Sequence, residues 1–452
     1  MSAVTSCSSA QWTNTIELEI LKEGRGYTGG RPLEVQVVRD LVVDNQVVSS
    51  LSKVAFKTWQ GLARVPGLSN RIGTEQLLES NFTARAEIEF STRCNLRCVY
   101  CRSSANVGSD LDFQYLDSIA DVLQRRNALS VGVSGNGETT VVKDWHSHCD
   151  RMLDRGLGLA ITTNLARELS DAEAATLSGF PIVRVSCDTV RPRLFKKLRR
   201  GGNLGTLLYN MAKIRSFAAD RGAREPFFWW NAVVSAQTVR YLEEYVGFGL
   251  AVGVKHFCFL NLCDPPPAED GDESVDHVTD MPLEQLRELP GLFDRVFARI
   301  RKNGGSFICS TLIDLINDKL REAGPDESTN NGSLYDDPGK SGMTRNCLDP
   351  WIYARINVDT GVKPCCITDE VMGFLNKGQG LEDILNNSKI KAYRSGILTG
   401  KLRPACRTCP NRGWTEIEKM HIKVLALVGA RRVLPALQRH GILVPLLHRW
   451  RR

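Results

Sequence analysis

The chain predicts an α/β fold built on a parallel sheet, and three observations carry that expectation. Short apolar segments alternate with stretches of helical apolar spacing from residue 85 to residue 262. That alternation is the signature of βαβ units. Six such segments recur at intervals of about thirty residues, as repeated βαβ units of one parallel sheet would. Finally, eight of the 14 cysteines of the 452 residues fall in two dense groups, 94/98/101 and 347–409, and the others are scattered.

The elements follow in order. Residues 1–84 form an N-terminal α+β extension: TIELEI and PLEVQVVRDLVVDNQVV read as strands with a turn at Asp44-Asn45, followed by helices to about residue 80. RAEIEFS (85–91) alternates apolar and polar residues and predicts the first sheet strand. A helix over 112–127 (Phe113, Leu116, Ile119, Ala120, Leu123) leads to the strand LSVGVSG at 129–135. Helices over 144–156, 171–179, 203–220 and 238–251 then precede the strands 157–164, 181–189, 227–235 and 254–262. The acidic, proline-rich stretch 264–282 predicts an exposed loop, and a helix at 283–303 closes a domain of residues 85–305. A connecting segment of residues 306–345 ends in the polar, glycine-rich run 323–345. Residues 346–415 predict a small domain: a β-hairpin around Asp359-Thr360-Gly361 and a helix at 381–397. Residues 416–452 form a basic amphipathic tail.

Composition narrows the function classes. Hydrophobic residues make up 42% and charged residues 24%, the balance of a soluble globular protein. The first twenty residues show no basic region followed by an apolar one, so no secretory signal is expected. No apolar run of about eighteen residues predicts a membrane span. The expectation is a cytoplasmic protein, in which cysteine groups serve metal or redox chemistry rather than disulfides. The net charge is +7, and residues 419–452 hold eight Lys and Arg and no acid, so residues 1–418 sum to 7 − 8 = −1. The tail is the part suited to a membrane surface, on the inner face, or to a protein partner; packing against the body is the alternative. The Gly339-Lys340-Ser341 run lacks the glycine pattern of a P-loop.

The first cysteine group reads Cys94-Asn-Leu-Arg-Cys98-Val-Tyr100-Cys101, just past the first strand. Arg93, Arg97 and Arg102 crowd it with positive charge, which favours thiolates and an anionic iron–sulfur cluster. Zinc would want a fourth protein ligand, and no further Cys or His stands nearby in sequence. This segment resembles the signature of the radical SAM superfamily. The resemblance implies a partial (β/α)6 TIM-type barrel. It also implies a 4Fe–4S cluster on Cys94, Cys98 and Cys101, with one iron left to bind S-adenosylmethionine.

The strand ends extend the resemblance. Gly135-Asn136-Gly137-Glu138 is similar to the family's GGE motif, whose backbone and Glu contact the cofactor's amino group; a plain glycine turn is the alternative. Asn164 and the pair Ser186 and Asp188 match the family's cofactor-binding strand ends three and four. Arg200 resembles an arginine that holds the cofactor's carboxylate, a task suited to a guanidinium, although its basic run also reads as a solvated face. Tyr100 resembles the aromatic residue beside the adenine, with packing alone as the alternative.

In the second group, Cys347, Cys365, Cys406 and Cys409 combine two distant cysteines with a C-x2-C knuckle. Zinc fits such spacing. The region also resembles the twitch form of the SPASM domain, which implies a second, auxiliary 4Fe–4S cluster on four thiols. Cys365 and Cys366 point to opposite faces of a strand, so one of them ligates; the family pattern favours Cys365.

The resemblance covers residues 85–415 and implies an enzyme of the radical SAM oxidoreductase or epimerase type. It splits S-adenosylmethionine reductively and abstracts a hydrogen atom from a substrate carbon. The substrate is a sugar or aminocyclitol, or a ribosomal peptide as in peptide maturases that form cross-links. An electron donor such as flavodoxin or ferredoxin supplies the reductant. Cys258 and Cys263 flank the end of the last barrel strand with opposite parity, and Cys263 is the candidate hydrogen donor; two buried apolar side chains are the alternative. No nucleic-acid partner is expected. A non-enzymatic iron–sulfur or zinc protein that binds a macromolecule is the contrasting class.

Overall fold

The computed structural model describes residues 77–101, 108–262, 275–309, 311–323, 341–409, 412–421, 423–424 and 427. The extension up to residue 76, Cys263 and nearly all of the basic tail lie outside the described residues.

The six expected strands are present: β1 (Arg85–Ile88), β2 (Ser130–Gly132), β3 (Leu159–Thr163), β4 (Ile182–Ser186), β5 (Phe227–Val234) and β6 (His256–Asn261). They pair in sequence order, every pair parallel. Helices α1 (Leu116–Arg125), α2 (Trp145–Asp154), α3 (Asp171–Ser178), α4 (Pro192–Leu198), α5 (Leu204–Asp220) and α6 (Leu242–Ala251) fall between them. This is an open, partial α/β barrel.

Strand alternation sorts the side chains. Ile88, Val131, Ile161, Val183, Trp230, Ala232 and Phe257 join one core with Ile119, Leu123, Leu177 and Met211 from the helices. Each large side chain buried there contributes about 1.5–3 kcal/mol. The alternate residues (Glu87, Arg184, Ser186, Asn231, Cys258) line the inner face, which is why these strands alternate rather than read as continuous apolar runs. Local signals agree. Ser170 and Glu173 form a capping box at the start of α3, and Asn203 caps α5.

Two features differ from expectation. A seventh parallel strand, β7 (Ser306–Ile308), follows α7 (Leu283–Lys302) and pairs with β6, and α8 (Thr311–Glu322) follows it. Both fall inside the expected connecting segment. A three-residue strand at the sheet edge is too short to leave a periodic signal. The second difference concerns the C-terminal hairpin, β8 (Tyr353–Ile356) with β9 (Gly361–Lys363). Strand β8 pairs in parallel with β1, from Arg85↔Tyr353 to Ile88↔Ile356, so the hairpin and β10 (Gly373–Phe374) extend the barrel sheet to ten strands. Thr360, at φ 65°, makes the expected hairpin turn.

The expected helix 381–397 is two helices, Leu381–Ile384 and α9 (Ser388–Thr399). Asn387 divides them: its Oδ1 accepts the Ile390 N–H at 3.1 Å, and its Nδ2 donates to the Met372 carbonyl at 2.9 Å. The chain entering β1 is tied to this region, since Trp351 Nε1 donates to the Leu77 carbonyl at 2.6 Å and Ser80 Oγ to the Trp351 carbonyl at 2.5 Å. Among the described residues no helix is long and apolar enough to cross a membrane.

Candidate cluster and cofactor sites

The first cysteine loop leaves β1 and is fixed from both sides. The Gly137 N–H donates to the Ser91 carbonyl at 3.1 Å and the Glu138 N–H to the Arg93 carbonyl at 2.8 Å. A Cβ on Gly137 would lie 2.3 Å from the Arg93 carbonyl oxygen, so only glycine permits this approach. On the other side Arg97–Cys98 forms a two-residue antiparallel ladder with Arg199–Arg200. Cys98 is buried, while Cys94 and Cys101 are half-buried.

The three thiols stand within electrostatic reach of one another. Burial pushes the Cys98 thiol up to about 12, against the pull of the Arg199 guanidinium, and pushes Cys94 up to about 11. A bound metal reverses this balance and holds coordinating thiols deprotonated.

Asp188, past the end of β4, accepts from the Tyr100 hydroxyl through Oδ2 and from the Val233 N–H through Oδ1 at 2.9 Å. It also pairs with Arg199, Nη2 to Oδ1 at 2.9 Å and Nε to Oδ2 at 2.8 Å. Arg199 in turn reaches 4.0 Å from the Cys98 sulfur and lies over the Tyr100 ring, 5.7 Å from its centroid.

The expected cofactor residues gather around the same loop. Glu138 is buried; its Oε1 accepts from the Thr163 hydroxyl at 2.8 Å and its Oε2 from the Asn164 N–H at 2.7 Å. Asn164 Nδ2 donates to Asn95 Oδ1 at 2.8 Å and stands 3.9 Å from the Cys94 sulfur. Gly135 meets Glu89, whose carboxylate accepts the Asn136 N–H at 2.8 Å and the Val358 N–H at 3.3 Å, and pairs with Arg355 at 3.5 Å. Ser186 ends β4 on the inner face, in register with Asn231 and, one strand further, Cys258.

Arg200 pairs in the ladder with Arg97, but the guanidinium in the Asp188 network belongs to its neighbour, Arg199. The basic run signalled the arginine and not which of the two turns inward. Glu89 and Asn95 were not expected either. A buried acid at a strand end looks, in sequence, like the polar half of an alternating strand.

The second group forms one hollow lined by Cys347, Cys365, Cys366, Cys406 and Cys409, with Arg85 of β1 on its wall. Cys347 lies within electrostatic reach of Cys365 and Cys409, and Cys406 of Cys409. Strand β9 ends at Lys363, so Cys365 and Cys366 stand on a bend rather than on a strand, and strand parity does not separate them. Cys366 borders the same hollow and also lies within electrostatic reach of Glu87, Asp349, Arg85 and Arg355. Buried Arg345 holds the knuckle loop by donating to the Cys406 and Arg412 carbonyls, both at 2.7 Å. Arg412 grips Asp349 at 2.8 and 2.9 Å.

The donor sets fit iron–sulfur cubes. In the second group the thiols line a hollow, and among the described residues no three His, Cys, Asp or Glu close on a single ion. A cube that gives each iron its own thiolate spaces its ligands in this way, and nearby guanidiniums offset its negative charge.

The radical SAM superfamily profile matches residues 88–220, and that of an iron–sulfur cluster-binding domain, SPASM, matches residues 347–410. The chain carries a radical SAM domain followed by a C-terminal SPASM domain. Its cofactors are S-adenosylmethionine, the 4Fe–4S cluster that binds it and an auxiliary iron–sulfur cluster. The radical SAM protein is 27% identical over 200 residues to the tungsten-containing aldehyde ferredoxin oxidoreductase cofactor-modifying protein of Pyrococcus furiosus, a match covering 43% of this chain and 56% of that one. It is 30% identical over 128 residues to the GTP 3',8-cyclase of Pelotomaculum thermopropionicum, covering 26% of this chain and 38% of the cyclase. With the mycofactocin maturase of Mycolicibacterium smegmatis it shares 27% over 168 residues, 36% of this chain and 41% of the maturase. The chain thus spans little more than half the length of the first of these relatives and less of the others. Among solved structures, Streptococcus suis SuiB superposes with a TM-score of 0.50 at 16% identity, covering 81% of this chain and 84% of SuiB, a likeness of fold.

Proposed function

We propose that this radical SAM protein removes a hydrogen atom from a substrate carbon and oxidises the resulting radical by way of its auxiliary cluster. The observation that supports this reading is the pairing of β8 with β1. It joins the auxiliary hollow to the strand that carries the first cysteine loop, and Arg85 belongs to both. A cluster held by Cys94, Cys98 and Cys101 would supply the electron that splits bound S-adenosylmethionine and so generates the group that takes the hydrogen atom. The chain's own residues do the positioning. Cys94, Cys98 and Cys101 hold the cluster. Glu138, Asn164 and the Gly135–Gly137 backbone face the amino-acid end of the cofactor. Tyr100, Ser186, Asp188 and Arg200 would complete its site, with Arg199 holding Asp188 and Tyr100 in place. Loss of one hydrogen atom, then of one electron to the auxiliary cluster and one proton, balances as a two-electron oxidation of the substrate. A flavodoxin or ferredoxin supplies the reducing electrons, and the substrate is a ribosomal peptide or a sugar or aminocyclitol.

A second reading, epimerisation, has one observation in its favour. Cys263 lies outside the described residues, but Cys258 stands on the inner face in the row of Ser186 and Asn231. Burial pushes its thiol up to about 12, so it keeps its hydrogen at neutral pH. Oxidation predicts that Cys258→Ala leaves the product unchanged, whereas epimerisation predicts loss of solvent deuterium from the reacting carbon.

The primary reading is tested by anaerobic reconstitution. About eight iron atoms per chain are expected. Cys98→Ala abolishes 5′-deoxyadenosine formation from S-adenosylmethionine and dithionite, and Cys406→Ala retains it. A chain that holds only one cluster, or that needs Cys406 for the cleavage itself, overturns the assignment of roles.

A further inference from the structure

Where β4 and β5 end, the segments Arg191–Leu194 and Ala236–Tyr241 face one another across an open groove of about 680 Å3. The groove lies at the same end of the sheet as the cysteine loop, and Arg191 is three residues beyond Asp188. Three guanidiniums line it. Arg191 pairs with Glu244 at 2.8 Å and covers the Tyr241 ring at 3.8 Å from its centroid. Arg240 donates to a neutral amide, Gln285 Oε1, at 2.9 Å. Arg193 is exposed and meets no carboxylate among the described residues. The acids at the edge among the described residues are Glu244, paired with Arg191, and Asp276, which accepts from Gln237 at 3.0 Å. The run 191–200 carries six Lys and Arg and no acid, in a body of residues 1–418 that sums to −1. Of these six, Arg191 and Arg193 line the groove, while Arg199 is buried against Asp188.

We propose that this groove binds an acidic segment of a peptide substrate and holds it at the mouth of the barrel, a proposal that rests on the hydrogen-abstraction reading. Guanidiniums bind carboxylates in a bidentate fashion. Here they stand on two separate elements along an open groove, an arrangement that suits an extended chain with spaced carboxylates. A nucleoside diphosphate wants an enclosed slot with an aromatic face, and Arg191 already takes one face of Tyr241. A nucleic acid wants basic surface free of carboxylates, and this groove carries Glu244 and Asp276 at its edge.

The test uses the reconstituted full chain and a dye-labelled twelve-residue peptide containing four glutamates, followed by fluorescence anisotropy. A peptide with glutamine in place of each glutamate is the control, and uridine diphosphate is a competitor. The expected result is binding of the acidic peptide at least tenfold tighter than of the glutamine peptide. It should weaken at least tenfold in Arg193→Ser/Arg240→Ser and be largely kept in Arg193→Lys/Arg240→Lys. Substrate-free 5′-deoxyadenosine formation should be the same in all three proteins, which also reports intact folding. Equal binding of the two peptides, equal binding by the serine variant, or displacement of the peptide by uridine diphosphate at lower concentration than by unlabelled peptide overturns the proposal. Absence of 5′-deoxyadenosine in the wild type sinks the underlying reading instead, so the two failures are separable.

Discussion

Arg199 and Asp188 form a buried ion pair, Nη2 to Oδ1 at 2.9 Å, and the free edge of the guanidinium reaches 4.0 Å from the Cys98 sulfur. A cation so placed both satisfies the buried carboxylate and favours extra negative charge on whatever the thiol binds.

Removing only the cation therefore has two effects. Arg199→Met leaves Asp188 buried without its counter-charge and costs about 3–5 kcal/mol of stability. Pairing it with Asp188→Leu recovers part of that cost, measured by denaturant unfolding. In the reconstituted protein Arg199→Met lowers the midpoint potential of the three-cysteine cluster, read by EPR-monitored titration. An unchanged potential would separate Arg199 from the cluster.

The glycine of the second strand end makes a steric prediction. In Gly137→Ala the new Cβ meets the Arg93 carbonyl at 2.3 Å and must push the cysteine loop away from β2. Iron bound at the first site falls to less than half, while the auxiliary site keeps its iron. Full occupancy of both sites would mean that the loop has room to spare.

The neighbouring cysteines 365 and 366 separate cleanly. Cys365→Ser loses the auxiliary cluster and about four iron atoms per chain. Cys366→Ser retains them: its thiol also borders the hollow, but Glu87, Asp349, Arg85 and Arg355 are its leading charged neighbours. The reverse outcome would exchange the two assignments.

His256 gives a pH dependence. Burial, reinforced by Lys255 and Arg224, pushes its pKa down to about 4, and Nδ1 lies 2.8 Å from Ser306 Oγ. The unfolded chain takes up this proton near pH 6.5 and the folded one only near 4. Across that window the unfolded state binds more protons, so stability falls as the pH drops from about 6.5 to 4 and levels off below. In His256→Phe the fall is shallower by one proton, measured as the denaturant midpoint against pH; parallel curves would contradict the assignment.

Much of this was legible in the chain. The six strands, the hairpin turn at Thr360 and the two cysteine groups follow from periodicity, turn chemistry and spacing, all local in sequence. What was not legible depends on long-range pairing. The parallel pairing of Tyr353–Ile356 with Arg85–Ile88 joins residues more than 260 apart, and nothing within either segment announces its partner. That Arg199 pairs with Asp188 depends on the two-residue ladder with Arg97–Cys98, a contact too short to leave a pattern. Glu89 serves the Asn136 loop and the hairpin at once, a role visible only when the three segments meet.

The account's central claim is that Cys94, Cys98 and Cys101 hold a cluster that splits S-adenosylmethionine. Its most direct test is the amount of 5′-deoxyadenosine formed by the anaerobically reconstituted, dithionite-reduced chain. The account predicts 5′-deoxyadenosine and methionine in equal amounts from the wild type and neither from Cys94→Ala, Cys98→Ala or Cys101→Ala. A fully iron-loaded wild type that forms no 5′-deoxyadenosine, or a Cys98→Ala variant that forms as much, would contradict it.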